Sequence, residues 1–129
     1  VKIDTKELVF GTTKLKMIIW DIAGEDTITG ARAAYLRGAS GYLLVADGTR
    51  SQTLKTAIDL KHQMDAVVGT IPFVGLLNKV DQTELWDISD GQLDAVLADG
   101  WEIIKTSAKT GEGVEQAFQS LAKKLVHDE

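Results

Sequence analysis

Cysteine is absent from the 129 residues of this chain, so neither disulfides nor thiolate metal sites contribute to it, and a reducing compartment fits. Excess positive charge is missing too: a formal net charge of −5 argues against nucleic acid as a partner, which would need a basic face to displace counterions from phosphates. No apolar run reaches the roughly 18 residues of a membrane span. Neither a signal-peptide pattern nor a lipidation motif is visible, and the expected location is the cytoplasm. A last absence is more specific. None of the 12 glycines is followed by Lys, so the pattern G-x-x-x-x-G-K-[ST], a loop whose backbone amides cradle phosphates, does not occur.

What is there is ordinary in bulk: 44% apolar and 26% charged residues sit at the globular average. The length suits one core, and residues 1–129 are expected to form a single domain. Lys2 to Val9 and Lys14 to Trp20 are β-type runs split by Phe10-Gly11-Thr12-Thr13, the spacing of an antiparallel hairpin. Thr27 to Arg37, rich in small residues, predicts a short, loose helix. From Gly41 onward strands and helices alternate. Gly41 to Ala46 and Pro72 to Leu77 are continuous apolar runs of the kind buried on both faces of a parallel sheet, and Trp101 to Lys105 reads as a third parallel strand. Leu54, Ala57, Ile58, Leu60, Met64 and Val67 recur near a 3.6-residue period, predicting a helix over Thr53 to Val68; Asp90 to Ala98 and Val114 to Val126 read as two more. The expected fold class is α/β: a mostly parallel sheet flanked by helices, with ligands at the carboxyl ends of its strands.

Three short motifs fall at such ends. In Asn78-Lys79-Val80-Asp81, the carboxylate can accept two hydrogen bonds from adjacent N1–H and exocyclic NH₂ donors, an edge that guanine has and adenine lacks. Lys79 can lay its stem along a purine ring, and Asn78 can tie neighbouring loops together or reach N7. In Thr106-Ser107-Ala108-Lys109, the Ala108 amide can donate to the guanine O6 while the Lys109 stem covers the other ring face. In Asp21-Ile22-Ala23-Gly24, the Asp can hold Mg²⁺ through water, and the Gly24 amide can approach a terminal phosphate with no side chain in the way. Each motif alone is short enough to be a polar turn or a capped helix start. Their order and spacing carry the reading.

Trp20-Asp21-Ile22-Ala23-Gly24-Glu25-Asp26, then Tyr35-Leu36-Arg37-Gly38-Ala39, then the two later loops, resemble the Ras superfamily of small GTPases, closest to its Rab-like branch. The resemblance runs the whole length and implies a P-loop NTPase-like, Ras-type fold. It assigns Mg²⁺ and switch duties to Asp21, γ-phosphate sensing to Gly24, and base recognition to Asn78, Lys79, Asp81, Ser107, Ala108 and Lys109. Glu25 to Arg37 would be a switch segment that meets regulatory or effector proteins, with Arg32 and Arg37 as surface charges. The implied function is a GTP-binding switch that hydrolyses GTP slowly to GDP and phosphate; the alternative is a guanine-nucleotide-binding scaffold deficient in hydrolysis.

Two departures from the family qualify this. Its first strand and phosphate loop would precede Val1, so the chain is expected to be truncated at its N-terminus, part of a longer natural one. That strand would lie between the Lys14–Trp20 and Gly41–Ala46 strands, and its absence predicts a gap lined by unpaired backbone groups, inviting strand-swapped association. Second, position 25 is Glu where most of the family has the Gln that orients the attacking water. A carboxylate there lacks the amide donor and brings negative charge beside phosphate, which predicts slow hydrolysis with Glu25 as the catalytic position. His62 and His127 sit on predicted helices without acidic or Cys partners and are expected to have no metal or general-base role. Trp86 and Trp101 are expected to be packing residues, and the acidic cluster Asp81, Glu84, Asp87 and Asp90 a solvated face flanking the guanine site.

Overall fold

Alternation at a period of two decides how the sheet is filled. Along the second strand Leu15 and Met17 point to one face, Ile18 and Trp20 to the other, and all four are buried. The computed structural model describes residues 2–10, 12–21, 36 and 38–127. Its elements are β1 (Lys2–Phe10), β2 (Thr13–Asp21), β3 (Gly41–Asp47), α1 (Ser51–Val68), β4 (Phe73–Asn78), a 3₁₀ turn at Thr83–Leu85, α2 (Asp90–Ala98), β5 (Ile103–Lys105) and α3 (Val114–His127). The five strands lie in the order β1-β2-β3-β4-β5, the first pair antiparallel and the others parallel.

Two cores result. On one face Ile18, Trp20, Tyr42, Leu44 and Leu77 pack with Leu54, Leu60 and Met64 of α1 and Val96 of α2. On the other, Met17, Leu43, Val74, Leu76 and Ile104 pack beneath Ala117, Leu121 and Leu125 of α3. Each large aliphatic side chain buried in this way contributes about 1.5–3 kcal/mol of transfer free energy. Tyr42 stacks on Phe73 at 5.3 Å between centroids, and Phe73 meets Trp101 edge-on at 5.0 Å.

The expected gap between the second and third strands is corrected. β2 and β3 pair directly, with Met17 opposite Gly41 and Asp21 opposite Val45. Their approach is reinforced where the Ser40 amide donates to the Lys16 carbonyl (2.8 Å) and the Lys16 amide to Ser40 Oγ (3.2 Å). Two apolar strands with free edges satisfy their backbone groups on each other, because leaving them unpaired in the interior is costly. The premise for strand-swapped association goes with the gap. The segment Thr27 to Arg37, expected as a loose helix, lies outside the described residues except for Leu36, which is buried in the first core.

Candidate functional site

β3 and β4 stop side by side, Asp47 opposite Asn78 in register, so the ends of two buried strands deliver a carboxylate and an amide to the same edge. β5 gives way to Thr106 beside them, where the Thr106 amide donates to Leu77 O (2.9 Å) and the Val80 amide to Thr106 O (3.0 Å). The loops that follow are then cross-tied by side chains. Asn78 Oδ1 accepts from the Ala108 amide at 3.0 Å and from the Thr106 hydroxyl at 3.3 Å. Asp81 Oδ1 accepts from the buried Ser107 hydroxyl at 2.8 Å, and Ser107 Oγ in turn accepts from the Thr110 amide at 3.1 Å. Asn78 therefore acts as the tie between loops. The Ala108 amide, expected to face a base oxygen, donates here to Asn78.

Lys79 has a positive φ of 71°, a left-handed conformation that side chains seldom adopt. Its ammonium lies 2.9 Å from Asp47 Oδ2, which holds the stem back across the strand ends. Asp47 Oδ1 accepts from both the Thr49 amide (2.9 Å) and the Thr49 hydroxyl (2.7 Å). Burial pushes the Asp47 carboxyl up, but the Thr49 hydroxyl, the Lys79 ammonium and the Thr49 amide together outweigh it, and its pKa falls below the ordinary carboxylate value. The carboxylate stays ionised, with its lone pairs taken. Asp81 is exposed, and its second oxygen carries no bond to another described side chain.

The geometry is matched by ancestry: the Ras family model covers residues 1–127. The chain belongs to the Ras family. It is 32% identical to the Ras-related protein RABC2a of Arabidopsis thaliana over 94% of this chain and 60% of that one. The GTP-binding protein ypt3 of Schizosaccharomyces pombe matches at 32% over 97% of this chain and 59% of its own length. Ras-related protein Rab-25 of Mus musculus matches at 32% over 97% and 60%. The chain thus spans about 60% of the length of the curated relatives it matches.

Within this Ras-family chain the remaining expected residues are distributed unevenly. Asp21 closes β2, paired in the sheet with Val45 and Lys2, at the same edge as Asp47 and Asn78. Gly24, Glu25, Arg32 and Arg37 lie outside the described residues. Lys109 is exposed beside Ala108. His62 is exposed on α1, and among the described residues no three His, Cys, Asp or Glu side chains form a metal cluster. Of the acidic cluster, Asp81 and Asp87 have structural partners: Asp87 Oδ2 accepts from the Ser51 amide at 2.8 Å and is pulled below its ordinary pKa by that bond.

A cavity of about 380 Å³ adjoins Asp81, lined by Gln82, Thr83, Glu84 and Leu85. A larger one, about 630 Å³, opens at the opposite ends of the strands around Pro72, Phe73 and Glu102. Its one carboxylate is already bound by the Ser120 hydroxyl and by Lys124 at 3.2 Å. The edge bearing Asn78, Asp81, Ser107 and Ala108 is the better candidate, because there the polar groups of separate loops converge. Sequence reasoning missed Asp47, although its place at the end of a buried apolar run equals that of Asn78 and was the available signal.

Proposed function

We propose that this chain carries the guanine-reading half of a GTP-binding switch that hydrolyses GTP slowly to GDP and phosphate and works in the cytoplasm. One observation carries the reading: the Asn78–Asp81 and Thr106–Lys109 loops are cross-tied through Asn78 to Ala108 and Ser107 to Asp81 at the carboxyl edge of a parallel sheet. The ties fix Asp81 with one oxygen held and its exposed side available to a base edge carrying two adjacent donors. Guanine offers that edge. Adenine would set its own acceptor against the carboxylate, the mismatch that discriminates most strongly. Asp21, at the end of β2, would hold Mg²⁺ through water, and the ion would neutralise phosphate charge there. Gly24 would meet the γ-phosphate, with Glu25 to Arg37 as the segment read by a regulatory or effector protein. Family membership and the names of the relatives, one of them a GTP-binding protein, support this assignment.

The test is calorimetric titration of the chain with GDP, ADP and XDP. Selective binding of GDP supports the proposal; equal affinity for GDP and ADP refutes base reading by Asp81.

A further inference from the structure

Gly48 and Trp86 meet without room to spare. A Cβ built on Gly48 would come within 2.0 Å of the indole Cζ3 and 2.4 Å of Cη2, so a larger residue cannot share the site while the indole keeps its place. The need is for space, since Gly48 is not among the residues of positive φ. Trp86 is half-buried against the first core, with the Lys105 ammonium 5.7 Å from its ring centroid.

The contact joins two segments that are also hydrogen-bonded on either side of it. The Gly48 amide donates to Asn78 O (2.9 Å), the Asp87 amide to Gly48 O (2.8 Å), and the Ser51 amide to Asp87 Oδ2 (2.8 Å). Residues 79–85 thus span two anchors on the same short stretch, Asn78 at one end and Trp86-Asp87 at the other. Between the anchors stand Lys79, in its left-handed conformation, and Asp81. Without the Trp86 anchor the loop would keep its bonds to Thr106, Ser107 and Asp47 but lose its hold on the far side of Asp81. The left-handed Lys79 would then lose part of the support that holds it, because a non-glycine residue in that region persists only where its surroundings over-determine it.

We infer that Trp86, seated on Gly48, is a positioning residue that fixes the Asn78–Asp81 loop for guanine. The inference rests on the guanine reading above and adds to it a residue outside the motifs. Trp86 touches no base; it braces the loop whose inner side Ser107 and Thr106 already hold.

The experiment titrates GDP and ADP against the full chain, native and carrying Gly48→Ala, Trp86→Ala, Trp86→Phe, or Gly48→Ala with Trp86→Ala. Gly48→Ala and Trp86→Ala are each expected to weaken GDP binding about ten-fold and to narrow the preference over ADP. The double variant should bind no worse than Trp86→Ala, because the added methyl then has nothing to strike. Trp86→Phe keeps a ring on Gly48 and the fold with it, and should lose only about three-fold. Amide exchange at Lys79 to Asp81 should quicken in Gly48→Ala and Trp86→Ala while that of β3 and β4 stays slow, a pattern that general destabilisation would not give. Native GDP affinity in Trp86→Ala, unchanged exchange at Lys79 to Asp81, or summed losses in the double variant would overturn the inference and leave the guanine reading intact. A native chain that binds GDP no better than ADP removes the guanine reading itself, and the inference with it.

Discussion

The Ala108 amide donates to Asn78 Oδ1 across 3.0 Å, joining two loops through residues 30 apart in the chain. One side chain thereby spends its acceptor on protein rather than on ligand, and the loop that follows β5 takes its position from the loop that follows β4. With Ser107 bonded to Asp81 in the same manner, the second oxygen of Asp81 is, on the proposed guanine reading, the group left to choose a ligand.

Asp81→Asn tests that choice. The amide replaces one acceptor by a donor, so GDP binding should weaken by about 1.5–3 kcal/mol, roughly ten- to a hundred-fold, while XDP, with an oxygen at the exocyclic position, should gain. Competition between the two nucleotides measures it. Unchanged preference for GDP would remove Asp81 from the base site.

Asp47 gives a pH dependence. Its folded pKa lies below the ordinary carboxylate value of about 3.9, so its contribution to stability is fully present above that value and is lost as pH falls through the folded pKa. Denaturant titrations from pH 6 downward should show a steeper acid loss in the native chain than in Asp47→Asn. That variant should be less stable by about 1 kcal/mol at neutral pH, since Thr49 and Lys79 lose a charged acceptor. Parallel acid profiles would show that the cluster is not linked to folding.

Tyr42→Phe should cost nothing, as thermal melting alone can show: the buried hydroxyl has no partner among the described residues, and burial with the nearby charge of Asp65 pushes its pKa well above the ordinary value. Removing an unsatisfied buried polar atom is neutral or stabilising by up to about 1 kcal/mol. A clear drop in melting temperature would mean that the hydroxyl has a partner after all.

Glu25→Gln concerns rate. On the proposed reading a carboxylate at position 25 lacks the amide donor and sets negative charge beside phosphate, so in the full chain the Gln variant should speed single-turnover hydrolysis about ten-fold, or about 1.4 kcal/mol of barrier, with GDP affinity nearly unchanged. A large loss of rate would identify Glu25 as a base with a raised pKa instead.

Much of the fold could be read from residues because local and tertiary signals agree. Helix α2 begins and ends where its sequence says, since Ser89 and Gln92 close a reciprocal capping box at its start. Helix α1 begins two residues earlier than its apolar period, at Ser51. Its first free amide is capped by Asp87 from a distant loop, which no local pattern announces. β5 is shorter than its apolar run because the Trp101 amide turns back to Val96 O in α2. The gap expected between β2 and β3 fails for another reason: it rests on the family's arrangement, whereas the two strands present compatible edges and pair directly. The site was legible as motifs but not as a network: the Lys79–Asp47 pair and the Trp86–Gly48 contact depend on strand register, and register is a property of the sheet.

That register also orders events in time. The β1–β2 hairpin closes from Phe10 opposite Thr13, whereas the other ladders must first bring Met17 to Gly41, Tyr42 to Phe73 and Gly75 to Ile103. Closing those long loops costs chain entropy before any parallel pairing returns it. The hairpin should therefore form first and present the β2 edge as a template for β3, so pulse-labelled amides of β1 and β2 are expected to gain protection before those of β4 and β5. Simultaneous protection of all five strands would mean that the sheet condenses in one step.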